Sequence, residues 1–161
     1  MVEKNVNSNL SHDARWRPNA TVATVVEREG RFLMIKERDR DTGLIVVNQP
    51  AGHLEAGETL IAAAEREVLE ETGWRIDLTG YLGVARLEAG NGTTYLRHTF
   101  TASPSYQISQ PSLDDGIIAV HWMTYEELLA CRHIHRSTLV VKVVELFIQG
   151  MKAPLSLVLE A

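Results

Sequence analysis

Residues 52–74, GHLEAGETLIAAAEREVLEETGW, set three glutamates on one face of a helical turn. Glu67, Glu70 and Glu71 stand at i, i+3 and i+4. Like charges at those spacings destabilise a helix by roughly 0.2–0.5 kcal/mol per pair. Gly73 reads as the residue just past the helix end, so the carboxylates also lie near the negative end of the helix dipole. One explanation is neutralisation by arginine: Arg66 can reach Glu70 and Arg75 can reach Glu71, as on many solvated helix faces. The other is a cation that the chain itself does not supply.

The residues leading into the helix favour the cation. Gly52 and Gly57 make a loop, Thr59 is placed to cap the helix, and Ile61, Ala64 and Val68 form one apolar stripe. The three carboxylates lie off that stripe. Mg²⁺ is a hard ion that binds a few carboxylates together with substrate phosphates, and it turns their repulsion into attraction. Such an ion can also neutralise a diphosphate and lower the pKa of an attacking water. Ala62, Ala63 and Ala64 keep neighbouring turns slim beside such ions, and the glycines let backbone approach closely.

The bulk numbers fit this reading. A chain of 161 residues with 45% hydrophobic and 23% charged residues is expected to form one domain over 19–161 behind a flexible polar tail over 1–18. A net charge of −5 argues against a nucleic-acid polymer or an acidic membrane as partner. An acidic protein that handles phosphates needs local arginines or bound metal. The single cysteine, Cys131, cannot form an internal disulfide and reads as a buried spectator in a reducing, cytoplasmic setting. No apolar run reaches the ~20 residues of a membrane span, and no repeat is evident.

Along the chain, Thr21–Glu27 and Phe32–Glu37 read as a hairpin turning at Glu29-Gly30. The segment 38–43 is a charged loop, and 44–50 is an apolar run stopped by Pro50. Further strands are expected at Ile76–Glu88, Thr94–Thr101 and Ile117–Met123, with a turn at 90–92. A short helix over 124–133 and another from Ser137 to about Gln149 follow, and 155–160 closes as a strand or tail. This order implies an α/β layered fold with a mixed sheet.

Gly52, five residues, Glu58, seven residues, then Arg66-Glu67-Val68-Leu69-Glu70-Glu71-Thr72-Gly73-Trp74 matches the Nudix box at every defined position. Seven of those positions demand one residue type, so a chance match is on the order of 10⁻⁸ to 10⁻⁹ per starting position. The chain therefore resembles the Nudix hydrolases, and over roughly residues 20–160 it resembles the NudJ-type bacterial phosphatases. Carrying that resemblance are TVATVVEREGRFLMIKE, NQPAGHLEAGETL, HWMTYEELL and RSTLV.

The resemblance implies an α/β/α sandwich around a mixed sheet and a Mg²⁺-dependent hydrolase, with Mn²⁺ as the substitute ion. It implies metal on Glu67, Glu70, Glu71 and the Ala51 carbonyl, and a base among these glutamates, with Glu70 and Glu67 foremost. Arg66 and Glu58 would tie the helix to its loop and orient the catalytic glutamates, and Gly52 and Gly73 are the box glycines. The implied substrates are small-molecule diphosphates: nucleoside di- and triphosphates or thiamin-precursor pyrophosphates. ADP-ribose, a dinucleotide polyphosphate or an oxidised nucleotide are the competing substrates, and a non-catalytic nucleotide sensor is the rival function. Such sensors tend to lose box glutamates that this chain keeps.

Two departures stand out: Ala51-Gly52 replaces a frequent Gly-Gly, and Val47 replaces a tryptophan of the NudJ-type lead-in. The loop carboxylate that often completes Nudix catalysis falls near Asp114 and Asp115, with Gly116 at the position expected to be acidic. Asp115 is a candidate there, although an Asp-Asp pair before a strand is also a plain turn signal. Arg38, Arg97 and His53 are the substrate-binding candidates. Arg97 and His98 must face opposite sides of one strand, and arginine suits phosphate better. Lys36, Arg38 and Arg40 form either a phosphate-attracting rim or a solvated loop. Tyr95, Trp122 and Tyr125 could each stack a ring or pack the core, and His133 and His135 lack further ligands nearby in sequence.

A di-iron site is excluded because no histidine follows a glutamate by three residues. No Gly-Lys-Ser/Thr follows a glycine-rich loop either, which excludes a P-loop.

Overall fold

The segment Val22–Val26 is buried without a break, where a strand with one wet face would alternate. It is the middle of β1 (Asn19–Arg28), and both its faces are covered. Val22 and Val26 pack on α1 (Leu60–Thr72), while Val25 packs with Val140, Val143 and Val144 of α3 (Leu139–Ile148). Helices thus lie on both faces of a mixed sheet, giving the α/β/α sandwich. The computed structural model describes residues 16–90 and 92–159. Most of the expected N-terminal tail, residues 1–15, lies outside that range, as does Asn91 in the expected turn at 90–92.

The strands are completed by β2 (Arg31–Arg38), β3 (Ile45–Asn48), β4 (Ala51–His53), β5 (Trp74–Glu88), β6 (Thr94–Gln107) and β7 (Ile117–Met123). Their order is β3-β2-β1-β6-β5, with β4 paired to β1 and β7 to β2. The β1–β2 hairpin turns at Glu29 and Gly30, both with positive φ, but pairs only at Glu27↔Phe32 and Arg28↔Arg31. Beyond that, β1 leaves its sequence neighbour and runs parallel to β6 from Asn19↔Tyr95 to Val26↔Ala102, while β2 pairs with β3 and β7.

Thr59 caps α1 by accepting from the Ala62 N–H at 3.0 Å. Gly73 ends the helix at φ 72°, with its N–H on Leu69 O, and a Cβ there would also press into Pro111. Thr124 caps α2 (Tyr125–Ala130) in a reciprocal box with Glu127. The segment 155–157 forms a 3-10 turn rather than a strand, with Leu155 and Val158 packed beside α1's apolar stripe. Ala63 and Ala64 are slim because Val22 and Phe100 press against them; their small size serves the core rather than the site.

Candidate functional site

Across the ends of β1, β4 and β6 and one flank of α1 lies an open cavity of about 770 Å³. Glu67, Glu70, Glu71, Ala51, Gly52 and Arg66 all line it. So do Arg38, Arg97, His53 and Asp115. Glu58 lies behind the lining and Gly73 at the far end of the helix, as befits positions that shape the box.

The three glutamates have different surroundings. Glu67 and Glu71 are 7% exposed, whereas the Glu70 side chain is 41% exposed. Strand β4 passes close over the helix, and the Ala51 N–H donates to Glu71 Oε2 at 2.8 Å. Burial pushes the Glu71 carboxyl up to about 9, against that hydrogen bond, and the negative charges of Glu37, Glu67 and Asp114 push the same way. Burial also raises Glu67, opposed by Arg66. Gly52 has no side chain because none fits: a Cβ there would overlap the Glu67 carboxylate.

Arg66 answers part of the charge problem posed by the sequence. Its Nη1 donates to Glu67 at 2.7 Å and to Glu70 at 2.9 Å. Its Nε and Nη2 grip Glu58 in a two-point fork at 2.7 and 2.9 Å, and Nη2 also reaches the His53 carbonyl at 3.0 Å. These bonds, Glu58 first, hold the guanidinium firmly charged, and Arg66 in turn lowers Glu58. The second expected pairing does not form. Arg75 is exposed on β5, Glu71 is buried beneath β4, and among the described residues they make no ion pair. Glu71 is therefore left without a cation in direct contact, among like charges.

Among the described residues, no three acidic, histidine or cysteine side chains already form a metal cage, and Arg66 is the cation between Glu67 and Glu70. The donor set nonetheless fits a hard divalent ion. It offers carboxylates and a carbonyl, with two carboxyls raised by burial and then by like charges, and backbone brought close by a glycine.

The remaining candidates separate clearly. Arg97 faces the cavity from β6 and is 6% exposed; it donates to Asn48 Oδ1 at 3.3 Å from both Nη atoms and to Gln49 Oε1 at 3.1 Å. His98 faces the other way, on the Tyr81 hydroxyl at 2.8 Å. Exposed His53 meets Tyr95 edge to face at 5.9 Å, and both line the cavity. Arg38 donates to Gly43 O and lines the rim with Arg40, while Lys36 lies outside it. Both Asp114 and Asp115 line the cavity, but the charge of Asp114 is the one that raises Glu67 and Glu71. Trp122 packs on Trp74 beneath the Arg28 guanidinium, and the Tyr125 hydroxyl donates to Glu145. Cys131 is half-buried, 3.5 Å from His135 Nε2.

Sequence reasoning missed Arg136, which lines the cavity and pairs with Glu37 and Asp39 at 3.2 and 3.3 Å. It also missed Asn48 and Gln49 as the seat of Arg97. The NQP lead-in contained both amides, but only the fold reveals that they face β6.

The NUDIX domain family model matches residues 15–141. Over 143 residues, 89% of this chain, it is 35% identical to the phosphatase NudJ of Escherichia coli strain K12, covering 92% of that protein. A NUDIX hydrolase structure from Nitrosomonas europaea is 39% identical and superposes with a TM-score of 0.87 over 90% of this chain and 98% of that one. At 20% identity, the MutT protein of Methanosarcina mazei Go1 shares the fold, with a TM-score of 0.67 over 84% of this chain and 98% of that one. The box, the sandwich that presents it and these likenesses agree: the chain belongs to the Nudix hydrolase family.

Proposed function

We propose that this Nudix hydrolase cleaves the phosphoanhydride of nucleoside di- and triphosphates or of a thiamin-precursor pyrophosphate, in the manner of its NudJ relatives. The observation that carries this reading is the cluster of Glu67, Glu70 and Glu71 on one flank of the cavity that Arg97 also lines. Nudix hydrolases act on small-molecule diphosphates and generally use a divalent metal, usually Mg²⁺.

Here Glu67, Glu70, Glu71 and the Ala51 carbonyl would hold the ion. When bound, it supplies charge neutralisation for the diphosphate and a more acidic water. Partly exposed Glu70 suits the role of proton acceptor from the attacking water, because its carboxylate stays accessible while Glu67 and Glu71 are buried. Arg66 orients Glu67 and Glu70 from behind. Arg97, Arg38 and His53 would contact the substrate, and Tyr95 with His53 offers a face for its ring. Asp115, with Asp114, closes the acidic rim. The domain would span 19–161, and Mn²⁺ would substitute for Mg²⁺. The single cysteine supports a reducing, cytoplasmic setting, and the net charge of −5 disfavours a nucleic-acid polymer.

The test is orthophosphate and pyrophosphate release, with and without Mg²⁺, from a panel of phosphoanhydrides. The panel holds nucleoside di- and triphosphates, a thiamin-precursor pyrophosphate, ADP-ribose and a dinucleotide polyphosphate. Metal-dependent orthophosphate release from the first two classes is expected. Cleavage confined to ADP-ribose or the dinucleotide would overturn the substrate assignment, and nucleotide binding without any cleavage would favour a sensor.

A further inference from the structure

Among the arginines lining the cavity, Arg38 and Arg40 are exposed at its rim, Arg66 meets Glu58, Glu67 and Glu70, and Arg136 meets Glu37 and Asp39. Arg97 is different. It is 6% exposed, yet its hydrogen-bond acceptors are the neutral amide oxygens of Asn48 and Gln49, and among the described residues its Nε has no partner. A guanidinium withdrawn from water without a contacting carboxylate is costly to keep in a fold. Burial, and then the nearby Arg136, press its pKa down to about 10 against the negative charges of Glu37 and Glu71, which act without touching it, so it is still charged at neutral pH.

The amides are themselves fixed so that they face Arg97 with oxygen. Gln49 is 1% exposed and its Nε2 donates to Val140 O at 2.7 Å, which turns its Oε1 toward the guanidinium. Asn48 Nδ2 donates to Glu37 at 3.3 Å, which turns its Oδ1 the same way. Either position would take a carboxylate of the same shape, and that residue would neutralise Arg97 permanently. A neutral acceptor holds the fork in place and leaves its charge available. Arg97 lies on the same face of β6 as Tyr95, so it opens onto the cavity that the glutamates border.

We propose that Arg97, seated on Asn48 and Gln49, is a metal-independent phosphate subsite that takes a substrate phosphoryl group other than the one at the glutamates. The diphosphates of the hydrolase reading already carry two linked phosphoryl groups, and Arg97 takes the one that the glutamates do not. This rests on the hydrolase reading for the identity of the cavity, but not for the binding of phosphate at Arg97. Asn48 and Gln49 are positioning residues: they act through Arg97, Gln49 from outside the cavity lining and Asn48 from its wall.

The experiment titrates inorganic phosphate into the full chain in EDTA, and measures KM and kcat for a nucleoside triphosphate in Mg²⁺. Wild type is expected to bind phosphate without metal. Gln49→Glu, which gives Arg97 a permanent counter-ion, is expected to weaken that binding and raise KM by roughly 10- to 100-fold, with a smaller fall in kcat. Asn48→Asp is the second variant should loss of the Val140 contact unfold the first, and Arg97→Lys removes the fork while keeping the charge. Phosphate binding that needs Mg²⁺ in wild type, or that survives unchanged in the folded variants, overturns the subsite. Metal-free phosphate binding that falls in the variants, in a protein that hydrolyses nothing, upholds the subsite and refutes the hydrolase reading.

Discussion

Arg66 and Arg97 face the same cavity with the same side chain, and their partners give them opposite functions. Arg66 is gripped by three carboxylates and a carbonyl, so its charge is consumed in fastening α1 to its preceding loop. Arg97 rests on two neutral amides, and its charge remains for something that arrives from outside. Whether an arginine in a site is scaffold or receptor thus depends on the formal charge of what it touches.

The comparison breaks most visibly through stability. Arg66→Leu strands Glu58 and Glu67, which are largely buried, and is expected to cost about 3 kcal/mol, or roughly 6–12 °C in Tm for a chain of this size. Arg97→Met should change stability by less than about 1 kcal/mol in either direction, since removing a buried charge with no contacting carboxylate offsets the lost hydrogen bonds. It should nevertheless abolish metal-free phosphate binding. Thermal melts of the two variants side by side check this, and equal losses would erase the distinction.

A second test uses pH. Glu71 has a carboxyl near 4.5 when unfolded and about 9 in the fold, so the fold favours its protonated form. Its contribution to stability is complete below about 4.5 and is lost as pH rises toward 9. Glu67 moves in the same direction. His98 and His135, lowered by burial, act in the opposite sense but below 6.5. Between pH 7 and 9, melts in EDTA should therefore fall on the order of a few kcal/mol, and excess Mg²⁺ should flatten the slope. A level metal-free profile would mean that burial and the neighbouring like charges do not hold Glu71 protonated.

Gly52→Ala should cost about 1–3 kcal/mol and lower turnover, because the new methyl must displace the Glu67 carboxylate. Melting and kinetics on one preparation would reveal it, and a neutral result would contradict the close approach of β4 to α1. The smallest effect belongs to the acidic rim. Asp115→Asn should change turnover by less than about threefold, within ±0.5 kcal/mol, whereas Asp114→Asn should lower the Glu67 and Glu71 pKa values and so weaken the pH slope. An Asp115 effect larger than that of Asp114 would reverse their order.

The helix and its loop were readable from the sequence because their signals are local. Thr59, the apolar stripe and Gly73 fix α1 within a few residues of one another, and the box glutamates follow from that periodicity. The partner of β1 was not readable. Its neighbour β6 begins after Asn91, and only the unbroken burial of Val22–Val26 hints at a two-sided central strand. Strand β6 also continues to Gln107 past Pro104, whose missing N–H would ordinarily argue for an end. For the same reason the box arginine could be assigned from spacing, while Arg97 could be named only as a candidate. Its seat is built by residues some 48 positions away, and no local pattern shows that those amides carry oxygen toward it.

The most direct test of the central claim is turnover of the full chain against its Glu70→Gln variant in saturating Mg²⁺, with the fold monitored by circular dichroism. The account predicts phosphate release that falls by about 10²–10⁴-fold while the spectrum and melting profile stay close to wild type. An unchanged rate in the folded variant would contradict it.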